Sequence, residues 1–220
     1  IQPGVELEAL LALERDARTS AACALRAFLG AGESEVVVGV VGRLAEVKQP
    51  LAALGLFRAL AARYPGLHLA FVGDGELRRT LERELCALPA ELARRAHLLG
   101  ACADMPVVLG ALDAVLLTSR TEGMPVALIE AGAAALPVVA RAVGGVAELV
   151  VHERTGYLGT SDDELLFGLD RLLADPAAAR AMGERARLRV AKLHGAETLA
   201  ARLEELYTHV VAARTAEVHP

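Results

Sequence analysis

The chain has 220 residues, 54% of them hydrophobic and 23% charged, which is enough to bury a sizeable core and too apolar for disorder. Aromatics make up only 3% and Trp is absent, so the core must be built from Ala, Val and Leu. A formal charge of −5 argues against a general nucleic-acid binder, whose affinity rests on neutralising phosphates.

In chain order, Ile1 to about Leu13 reads as a strand end, a turn and a helix, and residues 1–34 as a crossover leading into the core. The valine run Val36–Val41 is a strand closing on Gly42. Pro50–Tyr64 has apolar residues at helical spacing and stops at Tyr64-Pro65-Gly66. Leu67–Val72 is a buried strand closed by Gly73-Asp74-Gly75, and Glu76–Leu88 is a charged amphipathic helix. Ala96–Leu99 is a third strand closed by Gly100, Met105–Ala111 a helix, and Ala114–Thr118 a fourth strand. Pro125–Ala135 is a helix with proline at a permitted first-turn position. Pro137–Ala140 and Thr155–Leu158 are the fifth and sixth strands. Beyond Ser161 the pattern is helical only: Asp162–Ala174, Pro176–Leu193 and Ala196–Ala213. Short apolar strands alternating with helices predict βαβ units and a parallel sheet. The fold expected is α/β, a Rossmann-like doubly wound sheet: one domain with its core over 35–160 and helices over 161–220.

A doubly wound sheet binds its ligand outside the carboxyl ends of its strands, so the residues just after each strand are the candidates. Gly42-Arg43-Leu44 closes the first strand, with Lys48 five residues after Arg43. A guanidinium there can grip phosphate oxygens bidentately, and the lysine adds a point charge. Glu122 and Glu130 flank the start of the helix at Pro125, with seven residues between them. A helix start offers backbone N–H groups to an anion, Glu130 can accept from ribose hydroxyls, and Glu122 sits in the loop. Gly144-Gly145 permits a close backbone approach, which a tight turn also explains. None of the six histidines stands in a catalytic setting, and neither an Asp-x-Asp nor a His-rich metal cluster occurs. Cys23, Cys86 and Cys102 are scattered, as free thiols of a reducing, cytoplasmic compartment would be. No apolar run reaches the roughly 20 residues that span a bilayer.

At these residues the chain resembles glycosyltransferase family 4, retaining enzymes of the GT-B fold. "VVGRL" with Lys48 is similar to the family's G-R-L-x-x-x-K segment. "FVGDGELRRTLE", "TEGMPVALIEA" and "PVVARAVGGVAELVVHERTGYL" resemble the later segments in the same order, over nearly the whole chain. The resemblance implies the nucleotide-sugar half of such an enzyme. Arg43 and Lys48 would bind the diphosphate, Glu122 the donor sugar and Glu130 the ribose. Gly123, Met124, Pro125, Val126 and Ala127 would hold sugar and phosphate through backbone groups. Gly42, Gly73 and Gly100 would belong to the donor site, with the residues just after Gly73 and Gly100 bordering the base. No cofactor or metal is expected, because the positive groups take the charge of the leaving nucleotide. Ile1 in place of Met, and the lack of an acceptor-binding N-terminal domain in these residues, suggest a piece of a longer protein. Its exposed inter-domain face would then favour dimerisation. The parent would be cytoplasmic or peripheral at the inner membrane face. Two other readings are a nucleotide-sugar 2-epimerase and a non-catalytic nucleotide-binding subunit. The chain departs from the family where Gly132 and Ala135 replace the usual Met and Gly. Gly132 should weaken its helix, and Ala135 should sit where a positive φ is usual.

Overall fold

The computed structural model describes residues 7–14 and 18–194, together with 204, 207 and 208. The elements in chain order begin with α1 (Glu8–Leu11), α2 (Ser20–Phe28) and β1 (Val36–Val41). A 3₁₀ turn (Glu46–Lys48), α3 (Pro50–Leu60), β2 (Leu67–Val72), α4 (Arg78–Cys86) and α5 (Ala90–Ala93) come next. Then come β3 (Ala96–Gly100), α6 (Met105–Ala111), β4 (Ala114–Leu117), α7 (Val126–Ala133) and β5 (Val138–Arg141). The last are α8 (Val146–Leu149), β6 (Gly156–Gly159), α9 (Asp162–Ala174) and α10 (Pro176–Leu193). The six strands form one parallel sheet in the order β3-β2-β1-β4-β5-β6. That order reverses direction between β1 and β4, the topological switch point of a doubly wound sheet.

The strands are apolar on both faces because helices cover both. Val37, Ala70, Val72, Val115 and Leu117 point into one core with Leu109, Leu128 and Ile129. Val38, Val40, Leu69, Phe71, Ala114 and Leu116 point into the other with Leu54, Phe57 and Leu165. This period-two division of continuous apolar runs is what a parallel sheet with covered faces requires.

The expected helix over Pro125–Ala135 is shorter than its pattern at both ends. Pro125 caps the helix from an extended conformation, and Ala135 takes φ 53° and turns the chain into β5. Ala135 thus keeps the positive φ of the turn although it lacks the usual glycine. Gly132 has a packing reason, since a Cβ there would lie 2.6 Å from Val190 Cγ2 of α10. The small residue lets α10 lie close against α7. Three helices outside the sequence expectations are α2, capped by Thr19, the short α5 after Pro89, and α8 after Gly144-Gly145. The expected Ala196–Ala213 helix and the strand end at Ile1 lie outside the described residues, apart from isolated positions. Among the described residues no helix is long and apolar enough to cross a membrane.

Candidate functional site

At the carboxyl end of β1 the chain turns at Gly42, where φ is 144° and a Cβ would meet open space. Arg43 comes next, exposed, and its side chain makes no hydrogen bond or ion pair among the described residues. The chain then passes through the 3₁₀ turn to Gln49, a left-handed residue (φ 49°, ψ 53°) that leads into α3. A side chain at positive φ costs about 1–2 kcal/mol, so neighbours must hold it there. Thr118, buried just beyond β4, places its Oγ1 3.0 Å from the Lys48 carbonyl and 2.9 Å from that of Gln49. The Arg120 amide donates to the Val47 carbonyl at 2.8 Å. The Gln49 side-chain oxygen, oriented to suit its surroundings, accepts from Arg120 Nε at 2.8 Å.

This clamp fixes where Lys48 points. Its Nζ lies 2.6 Å from Glu122 Oε1, and Ser119 Oγ donates to the same oxygen at 2.6 Å. The Glu122 side chain is only 7% exposed, against 30% for Lys48. Gly42, Arg43, Lys48, Thr118 and Ser119 line one shallow cleft between β1 and β4. The structure thus brings Arg43, Lys48 and Glu122 together at the switch point, although they come from two separate loops.

Gly123, Met124 and Pro125 carry the chain from Glu122 to α7. No side chain caps that helix, which leaves the Val126 and Ala127 amides without helical partners. The Gly123 position faces open space, Met124 packs on the core, Pro125 is buried, and Val126 is 43% exposed. Glu130 lies further along α7, half-buried. Its carboxylate accepts no hydrogen bond from the described residues, and burial alone pushes its pKa up. It is not among the residues lining the β1–β4 cleft.

The Gly144-Gly145 approach is to protein backbone. A Cβ on Gly144 would collide with the Glu122 carbonyl oxygen, and the Gly145 amide donates to the Gly123 carbonyl at 2.8 Å. The pair sets the height of the Glu122 loop. In the same way a Cβ on Gly73 would collide with the Gly42 carbonyl oxygen, and the Gly73 amide donates to the Gly100 carbonyl at 2.7 Å. Gly100, at φ 77°, lies beside Arg78, which pairs with Asp74. The turns after β1, β2 and β3 are therefore knitted together at one edge.

Ser119, Thr118, Gln49 and Arg120 are not evident from the sequence, since each acts through a partner on another loop. The only local cue is the run of polar residues closing β4. A separate cavity of about 270 Å³ lies at the opposite edge, lined by Arg18, Val36, Ala114, Pro137, Leu169 and Leu173 among others. It is larger than the β1–β4 cleft, but it sits at the strands' amino ends, away from the switch point. Among the described residues no cluster of three or more His, Cys, Asp or Glu is placed to hold a metal.

Residues 24–189 match the model of the family described as glycosyl transferases group 1. The chain belongs to this family. It is similar to N-acetyl-alpha-D-glucosaminyl L-malate synthase of Bacillus anthracis, at 28% identity over 85% of the chain and 49% of that protein. It is also similar to the GDP-mannose-dependent alpha-(1-6)-phosphatidylinositol monomannoside mannosyltransferase of Mycolicibacterium smegmatis, at 31% identity over 83% of the chain and 49% of that protein. Among solved structures, HepE of Anabaena in complex with UDP superposes with a TM-score of 0.79 at 26% identity, over 94% of the chain and 56% of that protein. The sheet of this chain is the Rossmann-like α/β unit found in such GT-B glycosyltransferases. The chain spans less than half the length of the curated relatives it matches.

Proposed function

We propose that this chain is the donor-binding part of a retaining glycosyltransferase and holds a nucleoside-diphosphate sugar across the β1–β4 switch point. The observation that carries this reading is the meeting of Lys48 and Glu122 beside an unpaired Arg43. Two cations and an anion from two loops stand where a doubly wound sheet takes its ligand. Arg43, Lys48 and the free amides of Val126 and Ala127 would bind the diphosphate. As the sugar–phosphate bond breaks, the nucleoside diphosphate gains negative charge, and these same groups stabilise it. With that charge met by side chains and backbone, the reading requires no metal. Glu130 would hold the ribose hydroxyls, which would supply the donors its half-buried carboxylate lacks. Glu122 would meet hydroxyls of the donor sugar. Similarity to HepE, solved with UDP and with UDP-glucose, supports a nucleotide-sugar ligand.

The acceptor would bind on a second domain facing the same edge. Leu51 and Val126, exposed at the starts of α3 and α7, offer that domain, or a second copy of the chain, an apolar contact. Scattered thiols suit a reducing cytoplasm. Titration of UDP, GDP and ADP, then of their sugars, against the wild type, Arg43→Ala and Glu130→Ala tests the reading. One nucleotide should bind, and each variant should weaken it about tenfold or more. Unchanged affinity in both variants would refute the assignment.

A further inference from the structure

Glu122 presents an unusual balance. One of its oxygens, Oε1, takes both the Lys48 ammonium and the Ser119 hydroxyl, each at 2.6 Å. Ser119 is fully buried and the carboxylate nearly so, so this contact is shielded from water far better than an exposed ion pair. Any diphosphate that reaches Lys48 must share that ammonium with a carboxylate already in contact with it. Two anions on one cation repel each other. A bare nucleoside diphosphate brings its negative charge to Lys48, while its ribose hydroxyls go to Glu130 and leave no donor for Glu122. A nucleotide sugar brings hydroxyl groups, which can donate to the carboxylate as the phosphates draw the ammonium away.

We propose that Lys48, Glu122 and Ser119 form a discriminating latch that favours the nucleotide sugar over the bare nucleoside diphosphate, with Ser119 as the positioning residue that keeps the carboxylate on the ammonium. The inference rests on the reading of Lys48 as a diphosphate ligand. It gives Glu122 a second task, as an internal competitor of the product nucleotide. A site that repels its own by-product empties faster after transfer. Ser119 is fully buried at the base of the cleft and bonds Glu122, so in this proposal it acts through that carboxylate.

The test is calorimetric titration of the chain with whichever of UDP, GDP or ADP binds, and with the matching nucleotide sugar. Glu122→Gln should tighten the bare nucleotide about threefold to tenfold, because the competing charge is gone, and should weaken the nucleotide sugar. Ser119→Ala should shift the ratio of the two affinities in the same direction by less. In the Glu122→Gln background Ser119→Ala should change nothing further, since its only route is through that carboxylate. Ser119→Cys, which keeps a weak donor of similar size, should fall between Ser and Ala. It also stands in if the alanine variant fails to fold. A merely structural serine would alter melting temperature and leave the affinity ratio alone. If Glu122→Gln fails to tighten the bare nucleotide, or if the Ser119 effect persists without the carboxylate, the latch is wrong. If Arg43→Ala still weakens both ligands in that case, the donor-site reading survives. If the wild type binds no nucleotide, both fall together.

Discussion

Arg26 and Arg43, at opposite edges of the sheet, are treated in opposite ways. At the amino edge Arg26 is 4% exposed and commits its guanidinium to the carbonyls of Ala111, Gly32 and Glu35 and to Asp113 Oδ2. Asp113 in turn accepts from the Val37 amide and pairs with Arg18. At the carboxyl edge Arg43 is exposed and bonded to nothing described, and Glu130 is half-buried with no donor. A charge that the fold satisfies internally holds the fold together. A charge that the fold places but leaves incomplete is available to a ligand.

The contrast can be broken first at its strongest point. Arg26→Ala should cost about 2–4 kcal/mol, because a buried guanidinium is lost and its four acceptors, the buried Ala111 carbonyl among them, lose their donor. Arg43→Ala should stay within about 0.5 kcal/mol while nucleotide affinity falls. Urea denaturation of both variants checks the pair, and equal losses would erase the distinction. Gly144→Ala should come next, at about 2 kcal/mol or more, because the new methyl group meets the Glu122 carbonyl and φ there is 51°. The same variant should displace Lys48's partner and so weaken nucleotide binding, which a titration would detect.

A smaller effect belongs to the pair His68 and His97, whose Nδ1 and Nε2 lie 3.3 Å apart on β2 and β3. Burial pulls His97 down to about 4 from 6.5 and also lowers His68, which Glu35 partly offsets. The folded state therefore resists protons that the unfolded chain accepts. Stability holds above pH 6.5 and is lost progressively as pH falls from there towards 4. His97→Asn should flatten that limb in melting curves taken across this range. The smallest change expected is a gain. Gln49→Gly should relieve the left-handed backbone and add about 0.5–1 kcal/mol, less whatever the Arg120 contact contributes. A loss would mean that this contact outweighs the strain.

The strands are legible in the sequence because burial on both faces writes itself as an unbroken apolar run. Val36–Val41 and Leu67–Val72 match their apolar runs to the residue. The fifth strand starts one residue later than its pattern because Pro137 has no amide to enter the ladder. Ala135 announces its positive φ by standing where a glycine is usual, and the structure agrees. The helix α2 escapes the pattern although Thr19 marks its start. The candidate cations and carboxylates are legible as residue types after strands. Their pairing is not, since Lys48 and Glu122 are 74 positions apart and nothing local links them. The same holds for Thr118 and Gln49, whose contact exists only when two loops meet.

The bare flank at Gly132 has a mechanical consequence. The Val190 side chain of α10 rests there directly on the main chain of α7, with no side chain on the α7 side to absorb a shift. A displacement of α10 would therefore pass through Val190 straight to the rod that carries Glu130. Any shortened version of the protein must keep the chain through Val190, or that rod loses its backstop.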